Sequence, residues 1–253
     1  MEALAFEAMG VRVSISAEGP DVLDRVRSLL LPGWHHGATG STDARLEIRG
    51  GRAAWSLAEG DDRLFEAGDL EAVLLELERI VHNRVADLAA DRLCLHAGVV
   101  GIDGAAVLIP GSSHSGKSTL VRALVRAGAT YYSDDNAPID RDGLVHPYPR
   151  KLSLRGARPR RLPAEPLGWH EALPPLPVRL VVLTAFREGC SFMPVAPSPG
   201  RAALALFRHA VSARRNAEWA LPLLAAVARR ARILAGPRGE ASDAAARILE
   251  RCA

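Results

Sequence analysis

The octet Gly111–Ser118, reading GSSHSGKS, constrains this chain more than any other feature, because Gly111, Gly116, Lys117 and Ser118 satisfy the spacing GxxxxGK[ST]. An apolar run, Ala105 to Ile109, empties into it. An amphipathic segment, Lys117 to Arg126, comes next, with Leu120, Val121, Leu124 and Val125 on one helical face. Strand, glycine-bearing loop and helix in that order are the context a phosphate-binding P-loop requires. The spacing has a physical basis. The backbone must turn back on itself so that successive N–H groups face inward, which a Cβ at the turning points obstructs. The helix after the loop aims its positive end at the same anion. Gly111, Ser112, Ser113, His114, Ser115, Gly116, Lys117, Ser118 and Thr119 form the candidate nucleotide-binding set. Lys117 is placed against the outer phosphate oxygens, and Ser118 offers a hydroxyl to Mg2+. The expectation is an α/β chain with a P-loop nucleotide-binding core that takes ATP and Mg2+.

Gly128 is placed to end the helix, and Thr130 to Ser133 reads as a strand that stops at Asp134-Asp135. In a parallel sheet that strand end opens on the same edge as the loop. Paired acids there suit two tasks, holding the metal's water shell and accepting a proton from an attacking hydroxyl. The alternative is an acidic turn, since Asp-Asp-Asn is good loop chemistry. His96, within an apolar strand, is either a satisfied structural group or a catalyst. Arginines cluster between Arg150 and Arg161 and at Arg214, Arg215, Arg229, Arg230 and Arg232. They read as solvated faces, or as a rim that binds phosphate or peptide.

A length of 253 residues allows a small domain plus a medium one. With 48% hydrophobic and 24% charged residues the chain is ordinary for a globular protein, which excludes disorder throughout. The 32 cationic side chains face 29 anionic ones, a weak case for a polyanionic partner. Aromatics at 5%, with no reader motif, argue against nucleic acid. Cys94, Cys190 and Cys252 share no metal-like spacing and fit unpaired thiols in a reducing compartment. The N-terminus lacks a signal-peptide pattern, and no apolar run approaches the ~20 residues that span a bilayer. A cytoplasmic protein without a membrane partner is expected.

Residues 1–91 read as a small α+β module. It holds a strand or hairpin over Leu4 to Ala17, a helix over Asp21 to Leu31 closed by Pro32-Gly33, and a loop over His35 to Asp43. Ala44 to Arg49 and Ala53 to Leu57 form a hairpin about Gly50-Gly51, and a helix over Asp69 to Ala90 joins the module to the main domain. Residues 92–253 read as that P-loop domain. Leu93 to Val100 and Ala105 to Ile109 make a strand–turn–strand, Asn136 to Pro175 looks irregular, and Val178 to Phe186 is a buried strand. Helices over Ala202 to Ala213 and Ala217 to Ala231, a strand at Ile233-Leu234 and a helix over Ser242 to Arg251 close the chain.

Taken together, His96-Ala-Gly98, Ile102-Asp-Gly104, Val107-Leu-Ile109, the P-loop, Arg126-Ala-Gly128 and Ser133-Asp-Asp135 resemble the HPr kinase/phosphorylase family over about Leu95 to Asp140. The resemblance implies a core like the C-terminal domain of those enzymes and ATP-dependent phosphorylation of a protein serine. It places Lys117 on the β/γ-phosphates, Ser118 on Mg2+, Asp134 as base on the acceptor hydroxyl, Asp135 near the metal, and His96 close to the phosphates. Ser112 and Thr119 stand where the family carries acidic residues, and His146 to Arg155 replaces its Glu-Ile-Arg-Gly signature. The chain is more similar to divergent HPr-kinase-like proteins of peptide natural-product clusters, some of which phosphorylate a serine on a precursor peptide. Arg150, Lys151 and Arg155 either grip phosphates or an acidic peptide, or form a solvated basic loop. The expected partner is a peptide or protein that carries a serine, with a homo-oligomer left open. The alternatives are a small-molecule kinase and a nucleotide-sensing module without catalysis.

Overall fold

Alternation of buried and exposed residues organises the first sheet. In the computed structural model, Glu2–Ala8 (β1) and Val11–Ala17 (β2) pair antiparallel, with Leu4 opposite Ile15 and Phe6 opposite Val13. Met9 (φ 50°) and Gly10 (φ 76°) supply the two left-handed residues of a tight hairpin turn. The residues described are 2–31, 34–37, 40–50, 54–154, 160–213, 215 and 217–252. Pro32, Gly33, Gly51, Ala53, Arg155, Arg158 and Arg214, which figure in the sequence-based expectations, lie outside them.

After Pro20–Arg27 (α1), His35–His36 (β3) pairs with β1, although a loop is expected over that stretch. Ala44–Gly50 (β4) runs parallel to β2 and antiparallel to Trp55–Glu59 (β5). A strand that the sequence pattern does not signal, Asp62–Ala67 (β6), completes the order β3-β1-β2-β4-β5-β6. Leu70–Leu88 (α2) begins at Asp69, whose side chain accepts from the Ala72 N–H at 2.8 Å. It buries Val73, Leu74, Leu77, Val81 and Val85 and packs on β2, β5 and β6, so it belongs to this unit's core.

The chain divides into two units at Asp91/Arg92. In the second, Leu93–Ile102 (β7) and Ala105–Pro110 (β8) are joined by Asp103 and Gly104, both at positive φ. Lys117–Arg126 (α3) comes next, stopped by Gly128 at φ 105° with the Ala129 N–H bonded back to the Leu124 carbonyl. Then come Thr130–Ser133 (β9), Asn136–Ile139 (β10), Leu144–Val145 (β11), Leu152–Leu154 (β12), Arg160–Leu162 (β13) and Leu176–Leu183 (β14). Pro199–Phe207 (α4), Ala217–Arg230 (α5), Arg232–Ala235 (β15) and Ala241–Leu249 (α6) finish the unit.

β15, β14 and β8 are parallel, but β7 is antiparallel to β8, and β9 and β10 are both antiparallel to β7. The sheet is therefore mixed, not parallel as expected. Two antiparallel steps through β7 restore direction, so β9 still ends on the edge where β8 ends. The stretch expected to be irregular contributes four short strands, held in place by β7 and other partner strands.

The period of two sorts residues between the sheet's faces. Leu93, Leu95, Ala97, Val99, Ala106 and Leu108 pack with Leu206, Leu224 and Val227 of α4 and α5. Val100, Val107 and Ile109 pack with Leu120, Val121, Leu124 and Ile248 of α3 and α6. Each such fully buried Leu, Val or Ile contributes about 1.5–3 kcal/mol. The result is a mixed α/β architecture with helices on both faces. By parity His96 and Gly98 fall on the α3 side. A Cβ on Gly98 would lie 2.5 Å from Val121 Cγ2 and 3.3 Å from Lys117 Cγ, so glycine there lets α3 approach the sheet. Among the described residues no helix is long and apolar enough to cross a membrane.

Candidate functional site

β8 ends at Pro110, and the chain turns through Ser113–Gly116 before α3 begins. The Ser115 N–H donates to the Ser112 carbonyl at 3.3 Å. His114 (φ 70°) and Gly116 (φ 84°) are left-handed and flank Ser115. Reversals of backbone hand at such close spacing curl the chain back on itself. A Cβ on Gly111 would lie 2.5 Å from Ser115 Oγ, so a larger residue there would displace the Ser115 side chain. Gly116 is required by its φ and by the Arg238 guanidinium packed against it.

Lys117, only 8% exposed, brings Nζ to 3.3 Å from His96 Nε2. His96 Nδ1 lies 3.0 Å from Asp135 Oδ1. An ammonium only donates, so Nε2 accepts from Lys117 and Nδ1–H donates to Asp135, which selects one neutral tautomer. Asp135 also meets the Arg150 guanidinium. Burial pushes its pKa up, but the His96 hydrogen bond and the positive charges of Arg150 and Lys117 win and hold it well below the usual carboxylate range.

Asp134 is 5% exposed. Its Oδ2 accepts from Ser118 Oγ at 3.0 Å and from the Ser153 N–H at 3.2 Å, while its Oδ1 is buried without a partner. Burial raises its pKa against the opposing Ser118 and Ser153 hydrogen bonds and the Lys117 charge, with neighbouring Asp135 adding the smallest contribution to the rise. The two acids occupy the break between β9 and β10, which pair along the same side of β7. The Ser133 hydroxyl donates to the Asn136 carbonyl across this break, and the Ala97 N–H donates to the Asp135 carbonyl at 3.1 Å. An irregularity of this kind suspends strict alternation. Consecutive carboxylates thus reach the loop by different routes, Asp134 through Ser118 and Asp135 through His96 and Lys117.

The segment after β11 closes over the acids. Tyr131 Oη donates to the Arg150 carbonyl at 2.6 Å, and the Tyr148 N–H donates to the Tyr132 carbonyl at 2.9 Å. Of the basic trio, Arg150 turns inward to Asp135, Lys151 is exposed, and Arg155 lies outside the described residues. Three more residues reach the site that sequence reasoning does not single out. Arg238, 2% exposed, donates from Nη2 to the Gly116 carbonyl at 2.6 Å. The Phe186 N–H donates to the Ser115 carbonyl at 3.1 Å, and the His209 carbonyl accepts from the His96 N–H at 2.7 Å. Burial lowers the His209 pKa, and the positive charge of Lys117 lowers it further. The sequence holds one usable signal among these three, the Gly236-Pro-Arg-Gly239 turn directly after an apolar strand.

Ser118 Oγ and the Asp134 carboxylate, with its orphaned Oδ1, are an oxygen pair suited to Mg2+, which takes one or two protein groups alongside phosphate and water. Among the described residues no group of three or more His, Cys, Asp or Glu side chains is placed to hold a metal by itself. No family model matches the chain, and no curated protein matches it either.

Proposed function

We propose that Gly111–Ser118 is a P-loop, and that the chain is an ATP-dependent kinase that passes the γ-phosphoryl group to a hydroxyl, a serine of a peptide or protein. One observation carries this reading. The curled loop, Lys117, Ser118 and both aspartates converge at one edge of the sheet, within hydrogen-bonding chains of 3.0 to 3.3 Å.

Phosphoryl transfer asks for positioning and neutralisation of charge more than for covalent chemistry. The loop N–H groups and Lys117 would bind the equatorial oxygens. Mg2+, held by Ser118 and Asp134, would supply further neutralisation of the phosphates. Asp135, kept anionic by His96 and Arg150, would orient the acceptor hydroxyl. This division reverses the one implied by the family resemblance, because it is Asp134 that meets Ser118. One observation favours a nucleotide-sensing module without transfer: Arg150 and the Ser153 N–H already engage both carboxylates.

Candidate peptides and metabolites incubated with ATP·Mg2+ and read by mass spectrometry distinguish these readings. A peptide that gains one phosphate, and loses it with Lys117→Ala, supports the peptide kinase. Labelled metabolites alone would point to a small-molecule kinase, and nucleotide binding without any transfer to the sensing module. Asp134→Asn should raise the Mg2+ concentration needed for half-maximal transfer, whereas Asp135→Asn should lower turnover at unchanged Mg2+ dependence. The opposite pattern would restore Asp134 as the base.

A further inference from the structure

We infer that the base of the bound nucleotide stacks on Phe186, in the crevice where the loops after β14 and β15 meet Gly111–Ser118. This inference rests on the nucleotide reading of that loop. A polyphosphate seated there leaves the nucleoside two directions. Toward β7 the space is taken by His96, Asp134, Asp135, Arg150 and Ser153, which bond to one another or to the loop. Toward β14 and β15, parallel neighbours of β8, the loops leave the same sheet edge. Crevices outside the carboxyl ends of parallel strands are where such sheets bind ligands.

Phe186 is half exposed, at 50%. Its backbone is nevertheless fixed on two sides. Its N–H is bonded to the Ser115 carbonyl at 3.1 Å, and it forms a parallel bridge with Arg238. The Arg238 N–H donates to the Ala185 carbonyl at 3.0 Å, and the Arg187 N–H donates to the Arg238 carbonyl at 2.8 Å. Gly239 lies so close to the Cys190 carbonyl that no Cβ fits between them. The ring is therefore presented by a rigid frame joined directly to the phosphate loop.

The buried Arg238 guanidinium sits 5.7 Å from the ring centroid, with its Nε buried and without a partner. Its Nη2 holds the Gly116 carbonyl, so one side chain links the ring to the glycine that opens α3. An aromatic ring held open beside an anion cradle suits a planar, apolar-faced ligand attached to phosphates. Stacking accepts any base, because every base has a π-face. The site would thus prefer nucleotides over bare polyphosphate without dictating which base.

The test is calorimetric binding of ATP and of inorganic tripolyphosphate, each with Mg2+, to the full chain. Phe186→Ala should weaken ATP roughly tenfold, the range for loss of one base stack, and leave tripolyphosphate unchanged. Phe186→Trp should keep ATP affinity, and Lys117→Ala should weaken both ligands. If Phe186→Ala spares ATP, or weakens both ligands equally while Lys117→Ala behaves as expected, the base lies elsewhere and the P-loop reading survives. If the unaltered chain binds neither ligand, both proposals fall.

Discussion

Asp134 and Asp135 are neighbours in the chain yet are pushed in opposite directions. Asp134 has a raised pKa, so its ionised form is the costly one in the folded state. The folded state binds the extra proton between the unfolded value of about 3.9 and the raised one, and stability is lost as pH climbs through that window. Asp134→Asn should therefore stabilise the protein at pH 7 by about 0.5–2 kcal/mol, with the gain fading below about pH 4. Asp135 is the mirror case. Its depressed pKa gives stability that is present above the ordinary carboxylate range and is lost progressively as pH falls below it. Asp135→Asn leaves Arg150, whose side chain is 14% exposed, without its counter-charge. The expected loss at pH 7 is about 1–2 kcal/mol, reduced because Asp135 itself is partly open to solvent. Urea midpoints of both variants between about pH 3 and pH 8 check the two signs, and equal shifts in one direction would contradict them.

Between elements, α3 comes close to β7 at Gly98 and Val121, where a Cβ would not fit without a shift. Gly98→Ala should cost about 1–3 kcal/mol by overpacking and displace Lys117 from His96. Val121→Ala opens space at the same place, so the double variant should be more stable than the sum of the single losses allows, by about 0.5–3 kcal/mol. Additive losses would show that the helix has room to move. The elements legible in the sequence include long periodic ones, α2, α3 and the β7–β8 hairpin with its Asp103-Gly104 turn, and also the short strands β9 and β15. β10, β11, β12 and β13, of two to four residues, escape for two reasons. Such short strands show too few alternations, and their neighbours in the sheet hold them in place.

Each of the two units carries its own buried core, and every residue of the candidate site lies between Arg92 and Ala253. A fragment of residues 92–253 should unfold cooperatively and, on the proposed nucleotide reading, bind ATP with the affinity of the full chain. Calorimetry on both proteins checks this, and a fragment that folds but binds weakly would show that residues 1–91 contribute to the site. Most of the loop's chemistry is legible because it is contiguous: Gly111, Gly116, Lys117 and Ser118 are close in sequence, and the demands of a curled backbone act locally. The partners of that loop are scattered. His96 is 21 residues from the Lys117 it meets, and Arg238 is 122 residues from the Gly116 carbonyl it holds. No local rule relates groups so far apart. From the sequence alone comes the expectation that a phosphate-sized anion is cradled between Gly111 and Ser118, because backbone conformation and charge there depend on adjacent residues. Folding settled which acid meets Ser118, that Arg150 turns inward, and that Phe186 and Arg238 flank the loop. Those outcomes depend on how β9 and β10 register along β7 and on which strands lie beside β8, and strand pairing is decided by contacts between distant parts of the chain.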